Sequence, residues 1–183
     1  RDLAGDFSRA GYQVVHDASA LRAASTSGRL LGTFDAEHLP FSLDRKSDPA
    51  IAARVPTLAE MAQAALDRLS TRPEGFVLQI EGGRVDHAAH SNDIGGLVYD
   101  QLAFDDAVGV AIQFAAGRDD TLVIVTTDHG NANPGLNGSY GPNGGAQECF
   151  NRVARFRHTN VWALAGLGPD STLLQIRDRV QES

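Results

Sequence analysis

Two short apolar runs, residues 76–80 (FVLQI) and 121–127 (TLVIVTT), each follow a longer stripe of apolar residues at helical spacing. Runs this short, rich in branched side chains and barely interrupted by polar ones, read as strands covered on both faces. The stripe before the first run is Leu58, Met61, Ala62, Ala65, Leu66 and Leu69. Thr57 and Glu60 open it with the spacing of a capping box. Before the second run, Leu97, Phe104, Val108, Ala111 and Ala115 predict a helix over residues 94–116. Helix–strand–helix–strand alternation predicts an α/β fold, here one part of a three-layer sandwich with a largely parallel central sheet and helices on both faces.

Upstream, the pattern predicts a helix over residues 2–10, a strand over 12–16, a brief helix over 19–24 and a strand over 30–34. Residues 35–56 read as irregular, punctuated by Pro40, Pro49 and Pro56. One more strand is expected over 161–165 and a closing helix over 173–180. Residues 130–146 carry six glycines, two prolines and four asparagines, the composition of a long loop. The whole of 1–183 therefore reads as a single partial domain with a glycine-rich insertion loop over 130–158. The chain opens at Arg1 inside an expected helix, as a fragment of a longer protein would.

With 42% hydrophobic and 21% charged residues, the chain has the means to build a core. The net charge of −7 and the lack of any Lys or Arg run argue against a nucleic-acid partner. No apolar run reaches the roughly 18 residues of a membrane span. The single cysteine, Cys149, rules out an internal disulfide and a thiolate zinc cluster.

Both apolar runs lead straight into carboxylates and imidazoles. Glu81-Gly-Gly-Arg-Val-Asp86-His87-Ala-Ala-His90 follows the first, and Asp128-His129-Gly130 follows the second. Ligands of open α/β sheets bind beyond the carboxyl ends of strands, so the two clusters can meet in one crevice. Asp and His are the usual donors for catalytic zinc when cysteine is absent. Asp86 and His90, spaced i and i+4, share a face if that stretch is helical. The adjacent Asp128 and His129 can reach one ion only from a bent backbone, which Gly130 permits. Glu81 offers a hard oxygen suited to magnesium. Taken alone, each piece is as well explained by a helix cap, a solvated pair or a turn; two such clusters at two strand ends point to metal.

The strings PEGFVLQIEGGRVDHAAHSND, FDDAVGVA and TLVIVTTDHG, in that order, resemble the alkaline phosphatase family. The upstream strings AGYQVV, LLGTFDAEHLPF and PTLAEMAQAAL are similar to the same family. The resemblance implies two zinc ions and one magnesium ion serving a phosphate monoester hydrolase that acts through a phosphoserine. It implies Asp86 and His90 as ligands of the first zinc, Asp128 and His129 of the second, and Glu81 of the magnesium. His87 matches a substrate-binding position near the phosphate. His158, in the string His-Thr-Asn, is similar to a third ligand of the first zinc, although the family has glycine where Asn160 stands; a residue beyond Ser183 is the alternative. A homodimer and a periplasmic or secreted location are further implications of the resemblance.

The chain departs from the family in having no Asp-Ser-Ala motif, and so no catalytic nucleophile. The family's metal-bridging aspartate, magnesium-binding threonine and phosphate-clamping arginine are missing too, so these residues alone are expected to be inactive. The alternatives are another metalloenzyme of the same superfamily (a phosphodiesterase, a sulfatase or a phosphoglycerate mutase, which the string TTDHGNAN also resembles) or a non-catalytic metal-binding module.

Overall fold

The computed structural model describes residues 2–134 and 145–183. The chain divides into two compact units, each assembled from separate stretches of sequence. The first contains residues 1–40, 48–81 and 103–126; the second contains 41–47, 82–102 and 127–183.

The first unit opens with α1 (Leu3–Arg9), β1 (Tyr12–Val15), α2 (Ala18–Ala23) and β2 (Arg29–Gly32). β1 and β2 pair in parallel, Tyr12 opposite Arg29 and Val15 opposite Gly32, with α2 as the crossover between them. Asp17 caps α2 by accepting the Ala20 N–H at 2.7 Å. Against this pair, Val15, Leu21, Phe34 and Val55 form the core, flanked by Ile51 and Met61. The helix predicted at Thr57 is α5 (Leu58–Leu69), and its capping box is complete. Its Arg68 is buried and donates to the carbonyls of Ser25, Ser27 and Gly28, which secures the turn leading into β2.

Three expectations need correction. Within residues 35–56, which read as irregular, lie α3 (Ser42–Ser47) and α4 (Pro49–Arg54). Proline, read as punctuation, instead occupies the first turn of α4, where its missing N–H costs nothing, and Asp48 accepts from the Ala50 and Ile51 N–H groups. Residues 76–80 and 121–127 form no ladder among the described residues: Val77 is 96% exposed and Leu122 82%. The apolar pattern there is real, but a strand needs a hydrogen-bonding neighbour, and among the described residues β1 and β2 pair only with each other. Residues 161–165, expected to be a strand, belong to a helix, α9 (Asn160–Ala165), because the Thr159 side chain accepts the Trp162 N–H and nucleates a turn.

The second unit is helical. It holds α3, α6 (Arg84–His90), the start of α7 (Ile94–Ala115), α8 (Ala146–Val153), α9 and α10 (Leu173–Glu182). The expected insertion loop over 130–158 thus contains a helix, and its residues 135–144 lie outside the described ones. Three buried aspartates tie the unit together. Asp100 accepts the Ser42 N–H and hydroxyl. Asp93 accepts the Gly96 N–H, opening α7, and also the Asn160 N–H. Asp44 accepts the Thr159 N–H at 2.9 Å and its hydroxyl at 2.7 Å. Gly95 is required by close approach, since a Cβ there would lie 2.9 Å from the Phe156 ring.

Candidate metal centre

The stretch from Arg84 to His90 does make the helical turn on which a shared face depends. It places His90 Nε2 3.4 Å from Asp86 Oδ1. From the turn after residues 121–127, His129 Nε2 comes within 3.8 Å of the same Asp86 oxygen and 3.4 Å of Asp128 Oδ2. Four of the expected ligands therefore meet, as an Asp86–His90 pair and an Asp128–His129 pair linked through Asp86. Among the described residues no group of three or more His, Cys, Asp and Glu side chains is gathered to hold one ion.

Local bonds shape the turn. The Thr127 hydroxyl donates to the His129 carbonyl at 2.5 Å, and the His129 N–H donates to Asp128 Oδ1 at 3.0 Å. This folding back is what lets adjacent side chains meet. Asn131 Nδ2 donates to Asp86 Oδ1 at 3.2 Å, a contact that sequence reasoning passed over. Its only sequence signal was an amide two residues beyond His129, in a stretch read simply as loop.

The remaining expected residues are placed as follows. Glu81 is exposed and belongs to the first compact unit. His87 is half-buried, with Nδ1 2.8 Å from Arg84 Nη1. His158 is placed with a different carboxylate: its Nδ1 lies 3.3 Å from Asp44 Oδ1 and its ring stacks on Trp162 at 3.7 Å. The Trp162 ring also carries the Arg179 guanidinium, 3.1 Å from its centroid. His158 is thus packed among α9 and α10, with its Nδ1 beside the Asp44 carboxylate.

Buried charge lies close to α6. The Arg84 guanidinium lies 3.6 Å over the Phe41 ring. Burial lowers its pKa, while the nearby Asp100 and Asp44 carboxylates oppose that shift. Burial raises the Asp100 carboxyl above its ordinary value, against the hydrogen bonds from Ser42 and the charge of Arg84.

The sequence model of the family described as Alkaline phosphatase matches residues 1–159 of the chain. The chain belongs to the alkaline phosphatase family. Among its relatives, it is 39% identical over 144 residues to streptomycin-6-phosphate phosphatase of Streptomyces griseus, covering 67% of this chain and 32% of that protein. It is 38% identical over 129 residues to alkaline phosphatase 4 of Bacillus subtilis, covering 70% and 26%. The crystal structure of Thermus thermophilus alkaline phosphatase superposes over the whole chain and 38% of its own length, with a TM-score of 0.91 and 35% identity. The alkaline phosphatase of a psychrophilic Shewanella matches with a TM-score of 0.76 at 26% identity, over 98% of this chain and 42% of that one. The chain thus spans about a quarter to a third of the length of these curated relatives. As an alkaline phosphatase family member it carries the mixed helix-and-strand fold with a small parallel sheet, and no helix among the described residues is long and apolar enough to cross a membrane.

Proposed function

We propose that the whole protein hydrolyses phosphate monoesters with two zinc ions and one magnesium ion, and that residues 1–183 supply most of the metal ligands. The observation that carries this reading is the spacing of the two pairs. A tetrahedral zinc bound at about 2.0–2.1 Å sets neighbouring donor atoms roughly 3.4 Å apart. Asp86–His90 and Asp128–His129 each stand at 3.4 Å. Each pair is one oxygen and one imidazole nitrogen, so the donor chemistry suits the ion as well. The names of the relatives, phosphatases throughout and one of them for streptomycin 6-phosphate, support a monoester substrate.

In this reading Asp86 and His90 hold one zinc, Asp128 and His129 the other, and Glu81 a magnesium; bound there, the ions supply Lewis acidity and positive charge to the oxygens of the phosphoryl group. Asn131 holds the Asp86 carboxylate in place, and the Thr127 hydroxyl holds the bend that presents His129. His87 donates a hydrogen bond to the phosphate. The nucleophilic serine lies outside these residues, which by themselves do not turn over substrate. His158 is a packing and hydrogen-bonding residue of the helical unit, and the last zinc ligand lies elsewhere in the whole protein. A periplasmic or secreted location and a homodimer belong to the same proposal.

The test is hydrolysis of 4-nitrophenyl phosphate by the whole protein, before and after chelation and after zinc and magnesium are restored. The reading expects activity that is lost on chelation and regained with both ions. Activity indifferent to chelation, or hydrolysis of sulfate esters alone, would sink it.

A further inference from the structure

Three side-chain nitrogens face one oxygen of Asp86. His90 Nε2 stands 3.4 Å from Oδ1 and His129 Nε2 3.8 Å, while Asn131 Nδ2 is nearer, at 3.2 Å, and hydrogen-bonded to it. An asparagine amide nitrogen only donates and a carboxylate only accepts, so this bond can run in one direction alone. The two imidazoles are zinc donors in the reading above, whereas an amide nitrogen has no lone pair to spare for an ion. Of the three nitrogens, that of Asn131 is therefore the one that can hold Asp86 without being drawn to a metal. We propose that Asn131 is a positioning residue for the zinc of the Asp86–His90 pair, setting the direction of the Asp86 carboxylate and so the affinity for that ion and not the other. The proposal rests on the reading of Asp86 as a zinc ligand.

The carboxylate needs such a partner. Helical spacing on α6 puts Asp86 and His90 on one face, but the last torsion of an aspartate is broad, so the helix does not decide which oxygen meets an ion. The Asp86 side chain is 40% exposed, too open for packing to decide it either. Asn131 decides it from outside the helix, in the turn two residues beyond His129, and all of these residues lie in the second unit. The Asp128–His129 pair is shaped by other bonds, those of the Thr127 hydroxyl to the His129 carbonyl and of the His129 N–H to Asp128. Neither involves the Asn131 side chain. The Asn131 contact is also solvent-exposed, so its loss should barely change folding, and a change in zinc binding can be assigned to the carboxylate.

Zinc titration of the metal-free whole protein against a chromophoric chelator reads the affinity for each ion. Asn131→Ala is expected to weaken one zinc about ten- to a hundredfold, the size seen when a partner of a metal ligand is lost, and to leave the other unchanged. Asn131→Leu, similar in shape but with no donor, repeats that loss. Asn131→Gln, which carries the amide on a longer stem, recovers at least part of it. Urea unfolding of the metal-free variants matches that of the unmodified protein. Unchanged affinity for both ions in Asn131→Ala and Asn131→Leu overturns the proposal, as does an Asn131→Gln no better than Asn131→Ala. Equal weakening of the two ions overturns it too, since that marks a general loosening of the turn. Two zinc ions that need His90 but ignore Asn131 would sink the positioning role and leave the zinc reading standing. An unmodified protein that takes up no zinc would sink both.

Discussion

Asp86 and His129 come within 3.8 Å of each other, joining helix α6 to the turn that follows residues 121–127. Their side chains are 40% and 53% exposed, and solvated contacts of this kind add little to stability. His90→Ala and His129→Ala in metal-free protein should therefore move the unfolding free energy by no more than about 0.5 kcal/mol. Urea unfolding of both variants checks this. A large loss would mean that the cluster is structural.

Asp44 is the opposite case. It is buried and accepts two hydrogen bonds from Thr159, which is wholly buried. Asp44→Ala would leave the buried Thr159 N–H and hydroxyl hydrogen without their acceptor, while Thr159 Oγ1 can still accept the Trp162 N–H that caps α9. The expected loss is about 3 kcal/mol. His158→Gln should cost less and leave zinc content of the whole protein unchanged; loss of zinc in that variant would restore His158 to the ligand set.

Two carboxylates should give opposite pH signatures. Burial pushes Glu60 up, but the Thr57 N–H and Arg22 outweigh it and hold its pKa below the ordinary 4.5. The stability Glu60 contributes is thus present above 4.5 and lost as pH falls through its lower folded value. Asp100 is raised above 3.8 by burial, so its contribution is greatest below 3.8 and declines as pH rises through the folded value. Asp100→Asn, which can still accept from Ser42, should flatten that decline, and Glu60→Gln should flatten the acid-side loss. Melting temperatures across the acid range distinguish the two.

Thr57 and Glu60 satisfy each other's N–H groups at the start of α5, with the Glu60 N–H 3.1 Å from Thr57 Oγ1 and the Thr57 N–H 2.8 Å from Glu60 Oε2. Thr57→Ala should cost about 1 kcal/mol, and Thr57→Ser almost nothing. Equal losses from the two would show that the methyl group, and not the cap, is at work.

What the sequence made legible was local. The capping box at Thr57, the i, i+4 pair at Asp86 and His90, and the β1–α2–β2 start all rest on neighbours within a few residues. What it hid depends on distant partners. Residues 76–80 and 121–127 have strand composition, yet composition carries no information on whether a ladder partner is present. Thr159 looked like part of a ligand motif; it is the cap of α9, and Asp44, far upstream, accepts its N–H and hydroxyl. Asp48 and Pro49 did carry a readable helix start, obscured by taking proline only as a breaker. At the candidate centre the ligand types were readable, while the amide of Asn131 had no pattern to announce it.

The measurement closest to the central claim is the zinc content of the whole protein, beside that of His90→Ala and His129→Ala. The account predicts two zinc ions in the unmodified protein and loss of one from each variant, with the remaining ion kept. Full zinc content in both variants, or none in the unmodified protein after zinc is supplied, would contradict it.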